Sequence, residues 1–509
     1  MPRALLTVTA LLTAIVVAAG CGNDSSSSSA AAGLAPAGSL MYGEATLEPD
    51  GDQKAAVDSL MAKFPGEGGA GDRIRTLMEK AFAESDSGLS YQKDVEPWLG
   101  DEAAFFLSRV SADGNDGEGA LLLATEDEDK ARATIEKAID DGKPATYKDT
   151  DYIVEGAGAA GVVDGWVVIG SEDGFKAAVD VADDGRSMED DEDYQDTLDD
   201  APDERLGFIY FNSPAFMKEL AKMPAGAQLG QLSSFFKEPL LATGNADESG
   251  IRFEAIVPKS LAAGLPVVAE GSDLAGDLPA DSWLAMAQPE LGKTLNQYIE
   301  LVGGTIGGSE VLEQQFKATT GLDLQEDVVS WMGEWGVFVR GESVAELGGA
   351  LIVETSDEQA SGRVIDTIAR FARNSAEAGD RVRPYDLGGG GEGVTLSTPD
   401  VPQPIHLFQL DGKVVLAYGD DAARDALSPG QKLGDTAEFA QAEDALGGDY
   451  SVSFYLAVAP ILALADSAGA ASDAKWAEVK PYLEPLGALV GGAREEGDKL
   501  HSAFGVTVR

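Results

Sequence analysis

Among 509 residues there is a single cysteine, Cys21, so no disulfide can form within the chain. Histidine is nearly as scarce, with only His406 and His501. Ser–His and Cys–His nucleophile pairs therefore have almost nothing to work with, and a histidine-rich zinc site is excluded. Positive charge is short as well: 37 Lys and Arg face 88 Asp and Glu, a net charge of −51. Such a polyanion is repelled by nucleic acid and by anionic lipid headgroups, so no nucleic-acid partner is expected. The balance suits a salty, cation-rich space outside the cell; a salt-adapted source is a second reading of the same composition. The uncharged run Ala4–Ala19 is too short to span a bilayer comfortably. Hydrophobic residues still make up 44 % of the chain, enough for sizeable cores.

The lone cysteine is placed informatively. Pro2-Arg3 gives a weakly positive start, the apolar run follows, and Ala18-Ala19-Gly20 precedes Cys21. Small residues before a lone Cys suit the extended cleft of a signal peptidase. The pattern resembles a bacterial lipoprotein signal: residues 1–20 are read as the signal and Cys21 as the acylated first residue of the mature chain. Ala18 stands where a larger aliphatic residue is usual. An ordinary secretory signal cut nearby and a retained transmembrane anchor are the alternatives. Residues 21–33, with the run Asn23–Gly33 (NDSSSSSAAAG), read as a lipidated Cys and a flexible Ser-rich tether. The lipid would place the protein on the outer face of the cell membrane.

One stretch occurs twice. Gly88–Phe105 (GLSYQKDVEPWLGDEAAF) and Gly321–Phe338 (GLDLQEDVVSWMGEWGVF) align without a gap at an offset of 233, from 321 − 88 and 338 − 105. Gln92, Asp94, Trp98 and Gly100 meet Gln325, Asp327, Trp331 and Gly333. Self-similarity at so long a period argues for two copies of one domain rather than a solenoid. The expected division is 34–257 for the first repeat, 258–276 for a linker and 277–509 for the second repeat.

The copies carry matching elements. The apolar runs Gly119–Ala124 (GALLLA) and Gly349–Val353 (GALIV) read as strands, each followed by an acid-started helix. Asp164-Gly165 and Asp411-Gly412, each between apolar runs, are strong hairpin signals. The helical spacing of Trp476, Val479, Leu483, Leu486 and Val490 predicts an extra helix in the second copy. Strands joined mostly by hairpins, with helices inserted, predict an α+β fold: two tandem repeats, each a mainly antiparallel twisted sheet with helices packed on one face.

Few residues advertise chemistry. Gly156–Gly161 fits GxGxxG, but the following Val162–Val168 is strand and turn where a dinucleotide site needs a helix, so it is read as a loop and no cofactor is expected. Ser187–Glu204 holds ten carboxylates in eighteen residues yet lacks the alternating ligand spacing of a calcium loop; a solvated acidic face is the expectation and weak cation binding the alternative. Trp98 and Trp331 are expected to be packed anchors, with a stacking platform for a ligand such as a glycan as the alternative. Asp94 and Asp327 read as helix-start caps, and Gln92 and Gln325 as partners of nearby exposed backbone. No catalytic or metal-binding residue is assigned.

The turn Glu48–Lys54 (EPDGDQK) into a helix ending at Phe64-Pro65, the Asp94…Trp98-Leu99-Gly100 signature and the strand after it resemble a bacterial family, the domain of unknown function "three-three-five-two". The resemblance covers most of the chain after Gly33. It implies an envelope location and, because the family is assigned no activity, carries over no catalytic residues. The expected function is a lipid-anchored binding or scaffold module of the cell envelope, with an envelope protein, glycan or lipid as ligand. A carrier of a hydrophobic or lipid ligand would show an enclosed apolar cavity under the helices. A carboxylate-dependent hydrolase would show two carboxylates about 5–9 Å apart in a cleft.

Overall fold

The computed structural model describes residues 30–509 apart from 49–50, 67, 86–87, 111–116, 140, 203–204, 223–235, 260–270, 307–308, 376–380, 388–389 and 400. The chain divides between Leu261 and Ala262 into two compact units.

In the first unit the strands are β1 (Met41–Thr46), β2 (Leu99–Arg109), β3 (Glu118–Thr125), β4 (Lys143–Tyr147), β5 (Thr150–Glu155), β6 (Gly158–Val163), β7 (Trp166–Ser171), β8 (Gly207–Phe211), β9 (Leu240–Asp247) and β10 (Gly250–Pro258). They form one antiparallel sheet in the order β4–β5–β6–β7–β3–β2–β1–β8–β9–β10. Asp164 and Gly165 turn β6 into β7 at φ 44° and 81°, the left-handed pair that a tight two-residue hairpin requires.

The second unit contains β11 (Ser282–Gln288), β12 (Met332–Arg340), β13 (Gly348–Thr355), β14 (Arg381–Pro384), β15 (Glu392–Ser397), β16 (Ile405–Leu410), β17 (Lys413–Tyr418), β18 (Ser451–Ala457), β19 (Leu486–Glu496) and β20 (Lys499–Val508). Its antiparallel order is β14–β15–β16–β17–β13–β12–β11–β18–β19–β20. Each label of the first order has ten added to it. Asp411 and Gly412 make the β16–β17 turn at φ 51° and 73°.

The mixed α+β class and the antiparallel sheets agree with the sequence reading; the single helical face does not. In the first unit Ala104, Phe106, Leu122 and Val168 pack with Phe175 of the helix Glu172–Asp184 and Tyr194 of the helix Glu192–Leu198. Alternate residues of the same strands, Ala103, Leu121, Leu123 and Val167, point the other way. They pack with Phe82 of the helix Ala70–Glu84 and Ile135 of the helix Glu128–Ala138. The second unit repeats the division: Ile352, Phe408 and Val415 face Phe439, while Val353 faces Trp331 and Leu407 faces Ile365. The reason lies in the strand composition. β3, β6 and β7 are continuous apolar runs, and a strand covered on both faces has no polar side to alternate with. Each buried leucine of β3 adds about 1.5–3 kcal/mol.

Four boundaries also differ from expectation. Ala31 and Ala32 are buried in the first core, so the tether ends before them. Pro258 belongs to β10, and the helix Leu274–Asp277 seats Ala275 in the second core, so both ends of the expected linker are folded. The helix predicted from Trp476 to Val490 stops at Leu483, and Leu486 and Val490 lie in β19, hydrogen-bonded on both edges. Ladder pairing there outweighs a periodicity that glycines 487, 491 and 492 already weaken. Among the described residues no helix is long and apolar enough to cross a membrane.

Candidate functional site

The doubled signature is a structural clasp. In the first unit Tyr91–Val95 is one wide turn closed by Glu96 N–H donating to the Tyr91 carbonyl at 2.9 Å. Ser90 caps it, and the Asp94 carboxylate accepts from Ser90 N–H at 2.8 Å and from Lys137 Nζ at 2.7 Å. Trp98 is 3 % exposed, and its Nε1–H donates to the Asp94 carbonyl at 2.6 Å. The Trp98 carbonyl accepts from Thr125 Oγ1 and Glu126 N–H, joining the turn to the end of β3.

In the second unit the turn is Leu324–Val329, capped by Asp323. Asp327 accepts from Asp323 N–H at 2.8 Å and from Arg363 at 2.7 Å. Trp331, also 3 % exposed, donates Nε1–H to the Asp327 carbonyl at 3.0 Å. Asp94 and Asp327 are thus not the caps; they reach back to the cap residue's N–H, as the second half of a capping box does. Burial works against the Asp94 carboxylate, but Lys137 and Ser90 outweigh it and hold its pKa below the usual aspartate range. The Asp323 N–H and Arg363 do the same for Asp327. Gln92 and Gln325 enter through backbone N–H groups, to Glu79 and Asp323. A Cβ on Gly100 would sit 2.9 Å from Ala124 Cβ, whereas one on Gly333 would find nothing nearer than 3.4 Å.

The other sequence candidates scatter. Cys21 and the residues before it lie outside the described residues. Gly156 turns β5 into β6 at φ 63°, and a Cβ on Gly161 would strike the Phe175 ring at 2.8 Å, so this glycine run serves sheet and helix packing. In the acidic run, Met188 and Tyr194 are buried while Asp190 and Asp191 cap backbone N–H groups. Among the described residues no three His, Cys, Asp or Glu side chains are placed to hold a metal ion. His406 is fully buried, with Nε2 2.9 Å from Asp420 Oδ1 and Nδ1 3.0 Å from Thr395 Oγ1. Burial pushes its pKa below the usual histidine value against the pull of Asp420. Since Asp420 can only accept, Nε2 carries the proton and Nδ1 accepts from the threonine hydroxyl.

The feature that sequence reasoning did not find is a groove of about 1050 Å³ in the second unit. Its walls include the start of β11, the end of β12 with the loop after it, the segment from Tyr418 to Asp425, and parts of β18, β19 and β20. Arg340, whose side chain is 11 % exposed, donates to Asp425 at 2.6 Å and to Asp281 at 3.4 Å. Burial opposes its charge, but the bond to Asp425 outweighs this and keeps the guanidinium ionised. Trp283 is fixed by its Nε1–H donating to the Gly341 carbonyl at 3.1 Å. Ser282 is 4 % exposed, and its Oγ has no hydrogen-bond partner among the described residues. An unpaired buried hydroxyl costs about 1–3 kcal/mol. Asp420, the partner of His406, also lines this wall.

The first unit has its own open groove of about 1070 Å³, floored by Ile135, Ile153 and Ala160. Beneath its helices, against Trp98, Phe82 and Ile135, is an apolar cavity of about 30 Å³.

The family described as Protein of unknown function (DUF3352) matches residues 4–489. The chain belongs to that family. The DUF3352 match runs across both units and includes both tryptophan clasps and most of the groove. No curated protein matches the chain. Among solved structures, crystal form I of TP0453 is similar at 11 % identity and a TM-score of 0.26, over 46 % of this chain and 79 % of that one. Crystal form IV of TP0453 gives 8 % identity and a TM-score of 0.24, over 44 % and 79 %. TM-scores of this size do not establish a common fold, and nothing about this DUF3352 chain follows from them.

Proposed function

We propose that this chain is a tandem duplication of one α+β unit, tethered by a lipid on Cys21 to the outer face of the bacterial cell membrane, and that it serves as a binding module of the envelope. One observation carries the binding role: the groove of the second unit, about 1050 Å³, with a pinned indole, a buried guanidinium and an unpartnered buried hydroxyl in one wall. That volume is at the upper end of the range for small-ligand sites, which combine an apolar surface with a few placed polar groups.

The duplication is supported by the shared strand order and the two tryptophan clasps. A further pair supports it: Pro36 bridges Ser187 in one unit, and Pro279 bridges Lys432 in the other. The anchor is supported by the small residues before Cys21 and the serine run after it. A carrier of lipid gains no support from the apolar cavity, because about 30 Å³ has room for only about two waters.

Extraction from the native membrane tests both halves of the reading. Wild-type protein is expected in the membrane fraction, with a lipid mass on Cys21 and a noncovalent ligand seen by native mass spectrometry. Cys21→Ala is expected in the soluble fraction. Unchanged partitioning of Cys21→Ala overturns the anchor, and protein that never carries a ligand overturns the binding role.

A further inference from the structure

We infer that the groove of the second unit binds a short oligomer of neutral or amino sugars. This rests on the reading of the chain as a binding module and names the chemistry of its ligand. Charge makes the first selection. Seven carboxylates and three guanidinium groups line the groove, so anionic ligands meet net repulsion in a partly desolvated site. A neutral or amine-bearing ligand does not.

Shape and polarity make the second. A sugar ring offers hydroxyls that both donate and accept, and a flat C–H face that lies against an aromatic ring. The groove presents both complements. Trp283 lines it, and its orientation is set by the bond to the Gly341 carbonyl. Asp281 and Asp421 are acceptors on the rim, with side chains 64 % and 84 % exposed. Arg424 beside Asp421 is a donor.

The observation independent of the acidic lining is Ser282. This serine is nine-tenths buried and lines the groove, and its Oγ is unpartnered among the described residues. A hydroxyl from the ligand can satisfy it in either direction. Arg340, locked between Asp281 and Asp425, frames this wall. A basic peptide would share the charge complementarity, but the sugar alone uses the indole face and the serine hydroxyl together.

The test is calorimetric titration of the full chain in detergent with four probes: chitohexaose, its deacetylated hexamer, hexagalacturonate and hexalysine. Both glucosamine-based oligomers are expected to bind and hexagalacturonate is not. Trp283→Ala should weaken binding roughly thirtyfold, the loss typical of a central aromatic anchor, while Trp283→Phe retains most of it. Should Trp283→Ala melt early, Asp421→Asn provides the second variant. It changes an exposed side chain and should weaken the deacetylated oligomer more than chitohexaose. Binding of hexagalacturonate as tight as that of the amino sugar overturns the inference, as does full affinity in a folded Trp283→Ala. Binding of hexalysine alone overturns the sugar and leaves the binding module standing. Silence from all four overturns the sugar, and co-purification from the membrane then decides the module.

Discussion

Trp98→Ala is expected to lower the stability of the protein by about 3–5 kcal/mol, the range for removing a buried aromatic side chain. Trp98 packs with Phe82, Val95, Ile135 and Val167, and it already borders a cavity of about 30 Å³, so its removal enlarges a void that helices on one side and strands on the other cannot close. The lost Nε1–H bond also leaves the Asp94 carbonyl with one fewer donor. Trp331→Ala should cost less, about 3 kcal/mol, because its buried cluster is small: Val353 and Ala360, with partly buried neighbours around them. Trp98→Phe separates packing from hydrogen bonding and should retain most of the stability. Urea unfolding followed by far-ultraviolet circular dichroism measures all three. A change below about 1 kcal/mol for Trp98→Ala would mean that the indole is not the packing anchor described.

Arg340→Ala is the second large effect. Breaking a buried ion pair by removing one partner costs about 3–5 kcal/mol. Asp425 is 32 % exposed, so solvent screens part of the stranded charge and about 2 kcal/mol is the expected loss. The double variant Arg340→Met with Asp425→Leu should regain much of that stability, since an apolar pair of similar size avoids the desolvation cost. It should not regain ligand binding, because the indole wall loses the polar frame beside it. Thermal melting and ligand titration on the same samples separate the two outcomes. Stability lost and recovered together with binding would make Arg340 a scaffold residue and nothing more.

The doubled signature was readable because both clasps need the same local chemistry. An indole must reach back four residues to a carbonyl, and an aspartate must reach back four residues to an N–H; sequence spacing records both. The Asp-Gly turns were readable for a similar reason, since few residue pairs tolerate two left-handed positions in a row. The second helical layer was misjudged even though its signal was present: GALLLA and WVVIG have no polar alternation, the mark of a strand covered twice. The β19 segment was misjudged because tertiary pairing overrode an apolar spacing that also suits a helix.

The groove left no local trace. Arg340 and Asp425 are 85 positions apart, and Trp283 is 58 from the Gly341 carbonyl that holds it. Arg340 ends β12, Trp283 lies near the start of β11 beside it, and Asp425 ends the short helix after β17. Only the strand order, which places β13 between β12 and β17, brings these positions to one end of the sheet. The sequence contains nothing that pairs Asp281 with Arg340.

The most direct measurement is hydrogen exchange of the full chain with and without the ligand that co-purifies from the membrane. The account predicts slower exchange in the loop Gly341–Leu347 and the segment Tyr418–Asp425, with the tryptophan clasp of the first unit unchanged. Protection confined to the first unit, or none in those two segments, would contradict it.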